Sequence, residues 1–120
     1  MERLTRREED VMHIIWKCKR VFVKDVIAEM SSPKPPYSTI SSIVRILDQK
    51  GFVGHETFGK TYRYFPLVSK REYRKNLFVN MVNKYFEGSM ENLLSFIIRE
   101  EKLTTKDLKE LKKIIDQSHE

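Results

Sequence analysis

A chain of 120 residues with 40% hydrophobic content can bury one core and carry an appendage, but it cannot support two full domains. Its 23 Lys and Arg against 17 Asp and Glu leave a net charge of +6, which suits a polyanionic partner without requiring one. The single cysteine, Cys18, excludes an internal disulfide, no apolar run reaches the ~18 to 20 residues of a membrane span, and Met1 opens onto the charged MERLTRREED. A cytoplasmic protein with no membrane insertion is therefore expected.

In LTRREEDVMHIIW, Leu4, Val11, Met12, Ile14, Ile15 and Trp16 have helical spacing, and Thr5 with Glu8 has capping-box spacing; together they predict a first helix over 5–17. The β-prone Val21 to Val23 leads into KDVIAEM, a short second helix with Val26, Ile27 and Met30 on one side. Pro33, Pro35 and Pro36 cannot continue it, so SSPKPP is the turn before the third helix. Ser38 is the expected N-cap there, Ile40, Ile43, Val44 and Leu47 recur at i, i+3, i+4 and i+7, and Gly51 supplies the C′ residue. FVGHETF and TYRYFPLV, separated by Gly59-Lys60, alternate like a hairpin that Pro66 closes at the sheet's edge. Tyr62 and Tyr64, of opposite parity to Arg63, are expected on its core face, the alternative being stacking platforms. This order of elements predicts a mainly α fold with a small β-hairpin, a winged helix-turn-helix over residues 1–68.

Residues 69–120 contain no proline and read as a three-helix arm. Ser69 and Glu72 form a second capping-box pair, and Tyr73, Leu77, Phe78, Met81, Val82, Tyr85 and Phe86 spread over more than one face of a fourth helix. Met90, Leu93, Leu94, Ile97 and Ile98 mark a fifth helix, and Leu108, Leu111, Ile114 and Ile115 a sixth. One chain offers too little surface to bury these stripes, so a symmetric homodimer is expected, the alternative being an arm folded back on its own winged half.

Catalytic chemistry has no support in the pattern. His13, His55 and His119 fall in three different elements, and no CxxC spacing, phosphate-binding glycine loop or nucleophile elbow occurs. No catalytic residue, metal or cofactor is assigned.

Double-stranded DNA is the partner that the third helix suggests. With its apolar stripe turned in, Thr39, Ser41, Ser42, Arg45 and Gln49 turn out, with Tyr37 and Ser38 at the helix start. Short side chains let a helix approach a groove floor, hydroxyls donate or accept, and Arg45 can bond two acceptors of a guanine or a phosphate. An ordinary solvated face is the competing reading of that helix alone. The hairpin tip adds Lys60, Thr61 and Arg63, suited to backbone phosphates. Residues 1–68 carry 12 basic and 8 acidic side chains against 11 and 9 in 69–120, so the positive excess leans toward the winged half. A winged helix used for protein-protein contact, or a ligand-responsive regulator, are the alternatives.

LTRREEDVMHIIW, YSTISSIVRILDQKGFV, GKTYRYFPLVSKREYRK and GSMENLLSFIIREEKLTTKDLKELKKII together resemble the BlaI/MecI/CopY family of penicillinase repressors over nearly the whole chain. The resemblance implies a homodimeric bacterial repressor that binds a palindromic operator through its winged helix and dimerises through its C-terminal helices. In the β-lactam branch a membrane sensor metalloprotease leads to cleavage of an Asn-Phe bond in the arm. The matching pair here is Ser95-Phe96, with the phenylalanine kept and the asparagine replaced; Phe96 also fits a purely structural place on the fifth helix. The copper-responsive branch uses a C-terminal cysteine pair that KKIIDQSHE lacks.

Overall fold

Thr5 and Glu8 open the first helix as their spacing predicts. In the structure, a computed structural model that describes residues 1–118 and so leaves His119 outside the described residues, Thr5 Oγ1 accepts from the Glu8 amide at 3.2 Å. The Glu8 carboxylate accepts from the Thr5 amide at 2.9 Å, and α1 runs Arg6–Cys18. The second helix, α2, is Val23–Ala28, so Val23 is helical and only Val21 of the β-prone stretch pairs as a strand would. Lys34 Nζ donates to the carbonyls of Ala28 and Met30 and closes the end of α2.

Helix α3 spans Tyr37–Gln49, and its start corrects the expectation for Ser38. Pro36 is the N-cap, with φ −61° and ψ 147°, and its carbonyl accepts from the amides of Thr39 and Ile40 at 3.1 and 3.4 Å. The pyrrolidine ring holds the φ that precedes the helix, so the helix begins two residues earlier and Ser38 lies within its first turn. At the other end Gly51 adopts φ +81°, the Phe52 amide bonds the Leu47 carbonyl at 2.9 Å and the Gly51 amide that of Asp48 at 3.0 Å. That is the Schellman closure a C′ glycine permits.

Strands β1 (Val53–Phe58) and β2 (Thr61–Pro66) pair antiparallel from Val53 with Pro66 to Phe58 with Thr61. Val21 adds a rung beside Tyr64 through two backbone bonds of 2.9 and 2.6 Å. Pleating then brings Arg20 and Phe22 onto the outer face with Glu56, Phe58, Arg63 and Phe65. Phe22 meets Phe58 edge-on at 5.8 Å, and Arg20 pairs with Glu56 and lies over Phe65.

Val11, Met12 and Ile15 of α1, Val26 of α2, Ile40, Val44 and Leu47 of α3, and Phe52 and Val53 make one buried core. Each such side chain contributes about 1.5 to 3 kcal/mol by leaving water. Tyr73, from the helix α4 (Lys70–Tyr85), completes that core: its ring contacts Trp16 and Phe52, and its hydroxyl donates to Glu9 at 2.7 Å and accepts from the Leu4 amide at 3.1 Å. Burial, reinforced by the Glu9 hydrogen bond, pushes the Tyr73 phenol pKa up, so it stays a donor. This first compact unit comprises Met1–Leu77 and the second Phe78–Glu120. The second holds the rest of α4, α5 (Met90–Glu100) and α6 (Thr105–Ser118). Ser89 caps α5 through the Asn92 amide, and Thr104 and Asp107 cap α6 reciprocally. Among the described residues no helix is long and apolar enough to cross a membrane.

Glu8 also ties α1 to the end of α3. It is buried, and both carboxylate oxygens accept from Lys50 Nζ, at 2.9 and 3.1 Å. Burial alone would raise its pKa, but the Thr5 amide and Lys50 outweigh it, and the net shift is downward from about 4.5. A lowered folded-state value means a stabilisation present above the ordinary carboxylate pKa and lost as pH falls through the lowered one. Lys50→Met should cost about 1 to 3 kcal/mol at neutral pH by leaving a buried acceptor short of a donor. The deficit should shrink toward pH 3, which urea midpoints at the two pH values would measure.

Candidate nucleic-acid interface

Because Ile40, Val44 and Leu47 are buried and Ile43 packs against them, α3 presents Ser38, Ser42, Arg45 and Gln49 to solvent at i, i+4, i+7 and i+11. Thr39 and Ser41 lie on the shoulders of this stripe, half-buried, and Tyr37 is 57% exposed at its start. The early helix start moves Ser38 from a capping role into the stripe beside Ser42. Arg45 forms no ion pair among the described residues. The one acid of α3, Asp48, points at β1 instead, its Oδ2 2.5 Å from His55 Nδ1. An acid that could oppose a polyanion is thus occupied by an imidazole.

Of the hairpin residues, Lys60 and Thr61 are exposed at the turn, where Gly59 takes φ +58°. Arg63 lies differently. Its guanidinium covers the Phe58 ring at 4.4 Å and reaches Glu56 at 3.4 Å, and its Nε is buried without a hydrogen-bond partner. It is engaged within the outer face of the sheet. Tyr64 is on the core face as its parity predicts, but Tyr62, on the same face, is 47% exposed and its ring lies tilted by 48° against that of His55, with centroids 4.5 Å apart. The hairpin extends beyond the core, so its outer half has no core to meet.

Helix and hairpin approach a common surface. Tyr37 at the start of α3 and Thr61 at the start of β2 line one recess of about 320 Å³ with Phe22, Val23 and Lys24. Lys24 did not stand out in the sequence, because a six-residue helix has too little periodicity to mark an exposed cation. Its position in the first turn of the helix preceding the proline turn was the available signal, since that helix crosses the backbone in helix-turn-helix proteins.

In the arm, Leu77 packs against the core of the first unit, Val82 and Leu93 are buried, and Met81, Phe86 and Ile97 are half-buried. Phe78, Leu94, Ile98, Leu108, Leu111 and Ile115 are exposed. Ser95 and Phe96 lie mid-helix in α5, with Phe96 51% exposed and edge-on to Phe86 at 5.4 Å.

A sequence model of the family described as penicillinase repressor matches residues 4–117. The methicillin resistance regulatory protein MecI of Staphylococcus aureus (strain N315) is 26% identical over 115 residues, 95% of this chain and 94% of that protein. The penicillinase repressor of Bacillus licheniformis is 25% identical over 115 residues, 92% of this chain and 87% of that protein. The solution structure of monomeric Bacillus licheniformis BlaI in complex with the blaP half-operator is similar with a TM-score of 0.50 and 27% identity, covering 60% of this chain and 89% of that one.

Proposed function

The chain belongs to the penicillinase repressor family, and from that premise we propose that it is a DNA-binding transcriptional repressor acting as a homodimer in the cytoplasm. The observation that carries the reading is the exposed stripe of Ser38, Ser42, Arg45 and Gln49 ending beside the recess that α3 shares with the hairpin. In this reading α3 enters the major groove, Lys60 and Thr61 meet backbone phosphates, and Arg63 stiffens the hairpin from within. The similar BlaI structure, held with a half-operator, supports it.

Within residues 69–120 the second unit serves as the dimerisation arm, while Tyr73 and Leu77 belong to the core of the first. Eleven of the seventeen exposed large apolar side chains among the described residues lie in the second unit, little more than a third of the chain. That concentration supports an apolar interface. Two winged domains then engage half-sites one helical turn, ~34 Å, or a multiple apart. Regulation through a membrane sensor metalloprotease would act at Ser95-Phe96, and because that bond lies inside α5, the helix would have to open before a protease could take it. Cutting it would divide the arm.

Salt distinguishes this function from a protein-binding winged helix. Binding to a duplex covering the gene's own upstream region should weaken about 10³- to 10⁵-fold between ~50 and ~200 mM salt for six to ten phosphate contacts. A gel shift that shows no complex at low salt would end the repressor reading.

A further inference from the structure

The recess of about 320 Å³ where α2, α3 and β2 begin is lined by Phe22, Val23, Lys24, Tyr37 and Thr61. We infer that it seats one sugar-phosphate unit of the DNA strand bordering the groove that α3 enters, with Lys24 as the cation on the phosphate. The inference rests on the DNA-binding function proposed above and assigns to it a subsite and a residue.

A sugar-phosphate unit has an apolar flank beside a full negative charge, and the recess matches both. Phe22 and Val23 supply the apolar lining, and the other lining residues, Lys24, Tyr37 and Thr61, carry an ammonium, a phenol hydroxyl and an aliphatic hydroxyl, with no carboxylate among the five. The apolar lining is fixed to the hairpin, since Phe22 meets Phe58, the last residue of β1, at an interplanar angle of 86°. Lys24 Nζ stands 5.9 Å from the Phe22 ring centroid and forms no ion pair among the described residues, whereas Lys17 is paired with Glu29 and Lys50 with Glu8. An ammonium with no carboxylate partner, held over an aromatic ring, is complementary to phosphate on sugar.

Two of the lining residues, Tyr37 and Thr61, also adjoin the proposed interface along the chain. Tyr37 is followed in sequence by Ser38 of the α3 stripe, and Thr61 is preceded by Lys60 of the turn. A strand that touches the turn and borders the groove therefore crosses the recess. A contact of this kind fixes the register of the protein on the duplex without reading bases.

The test is equilibrium binding of the full chain to its upstream duplex and to a scrambled duplex across a salt series. Lys24→Gln should lower the slope of log K against log salt by about 0.9 for each chain engaged, an affinity loss of about eightfold at ~0.1 M salt, equally on both duplexes. Lys24→Arg should restore the slope. A wild-type slope in Lys24→Gln, or a loss confined to the upstream duplex, overturns the subsite while leaving the repressor function standing. If the unmodified protein shows no salt-dependent binding to either duplex, the function itself falls, and the subsite with it.

Discussion

Leu94→Asp should yield a folded monomer that binds the operator about 10² to 10⁴ times more weakly than the parent protein. Leu94 is 47% exposed in the single chain, so the new carboxylate meets water there and the stability of one chain should change by no more than about 0.5 kcal/mol. In a dimer the same side chain would be removed from water, where an unpaired carboxylate is too costly to keep. Dissociation, rather than unfolding, is the route of least free energy. A monomer then holds one half-site and loses the effective concentration that linkage gives the second, which sets the range quoted. Sedimentation and circular dichroism on the same sample separate the two effects. The neighbouring Leu93 provides the contrast: it is 6% exposed within the chain, so Leu93→Asp should disrupt the second unit itself. A Leu94→Asp protein that still sediments as a dimer would exclude this part of α5 from the interface.

The difference between these adjacent leucines also shows where sequence reading stops. Helical spacing placed both on the apolar side of a fifth helix, but which one a single chain already covers depends on packing across elements. Features set by residues close in sequence were legible: the Thr5 and Glu8 capping box, the Gly51 closure and the inward set Ile40, Val44 and Leu47 all follow from local geometry. At the start of α3 two local signals compete, a Ser38 hydroxyl that favours the N-cap and a proline whose ring already supplies its dihedral angles; Pro36 comes first along the chain and wins. Tyr62 is exposed for another reason. Strand parity assigns a face, but it does not say how far the strand runs past the core that would cover that face. The pairing of Asp48 with His55 and the gathering of Lys24, Tyr37 and Thr61 join separate elements, and no periodicity within one element announces them.

Arg45→Ala should cost about 1 to 3 kcal/mol per half-site, roughly 5- to 150-fold, and relax preference at one base pair. Arg45 is exposed at the centre of the α3 stripe, one turn beyond Ser42. The nearby carboxylate of Asp48 is held by His55 at 2.5 Å, so little in the chain competes with DNA for the guanidinium. Short side chains at Ser38 and Ser42 let this part of the helix come close enough for the arginine to reach a base edge, where two donors in a fixed fork meet the two acceptors of guanine. Arg45→Lys should recover the charge but not the discrimination, because an ammonium lacks that fork. The expected pattern is thus the reverse of the one for Lys24→Gln. Arg45→Ala should reduce the ratio of operator to scrambled-duplex affinity, while Lys24→Gln should leave that ratio unchanged and lower the salt slope. If Arg45→Ala instead weakens both duplexes equally, Arg45 contacts phosphate, and the reading of bases must pass to Ser38, Ser42 and Gln49. No loss on either duplex would mean that α3 meets DNA through another face.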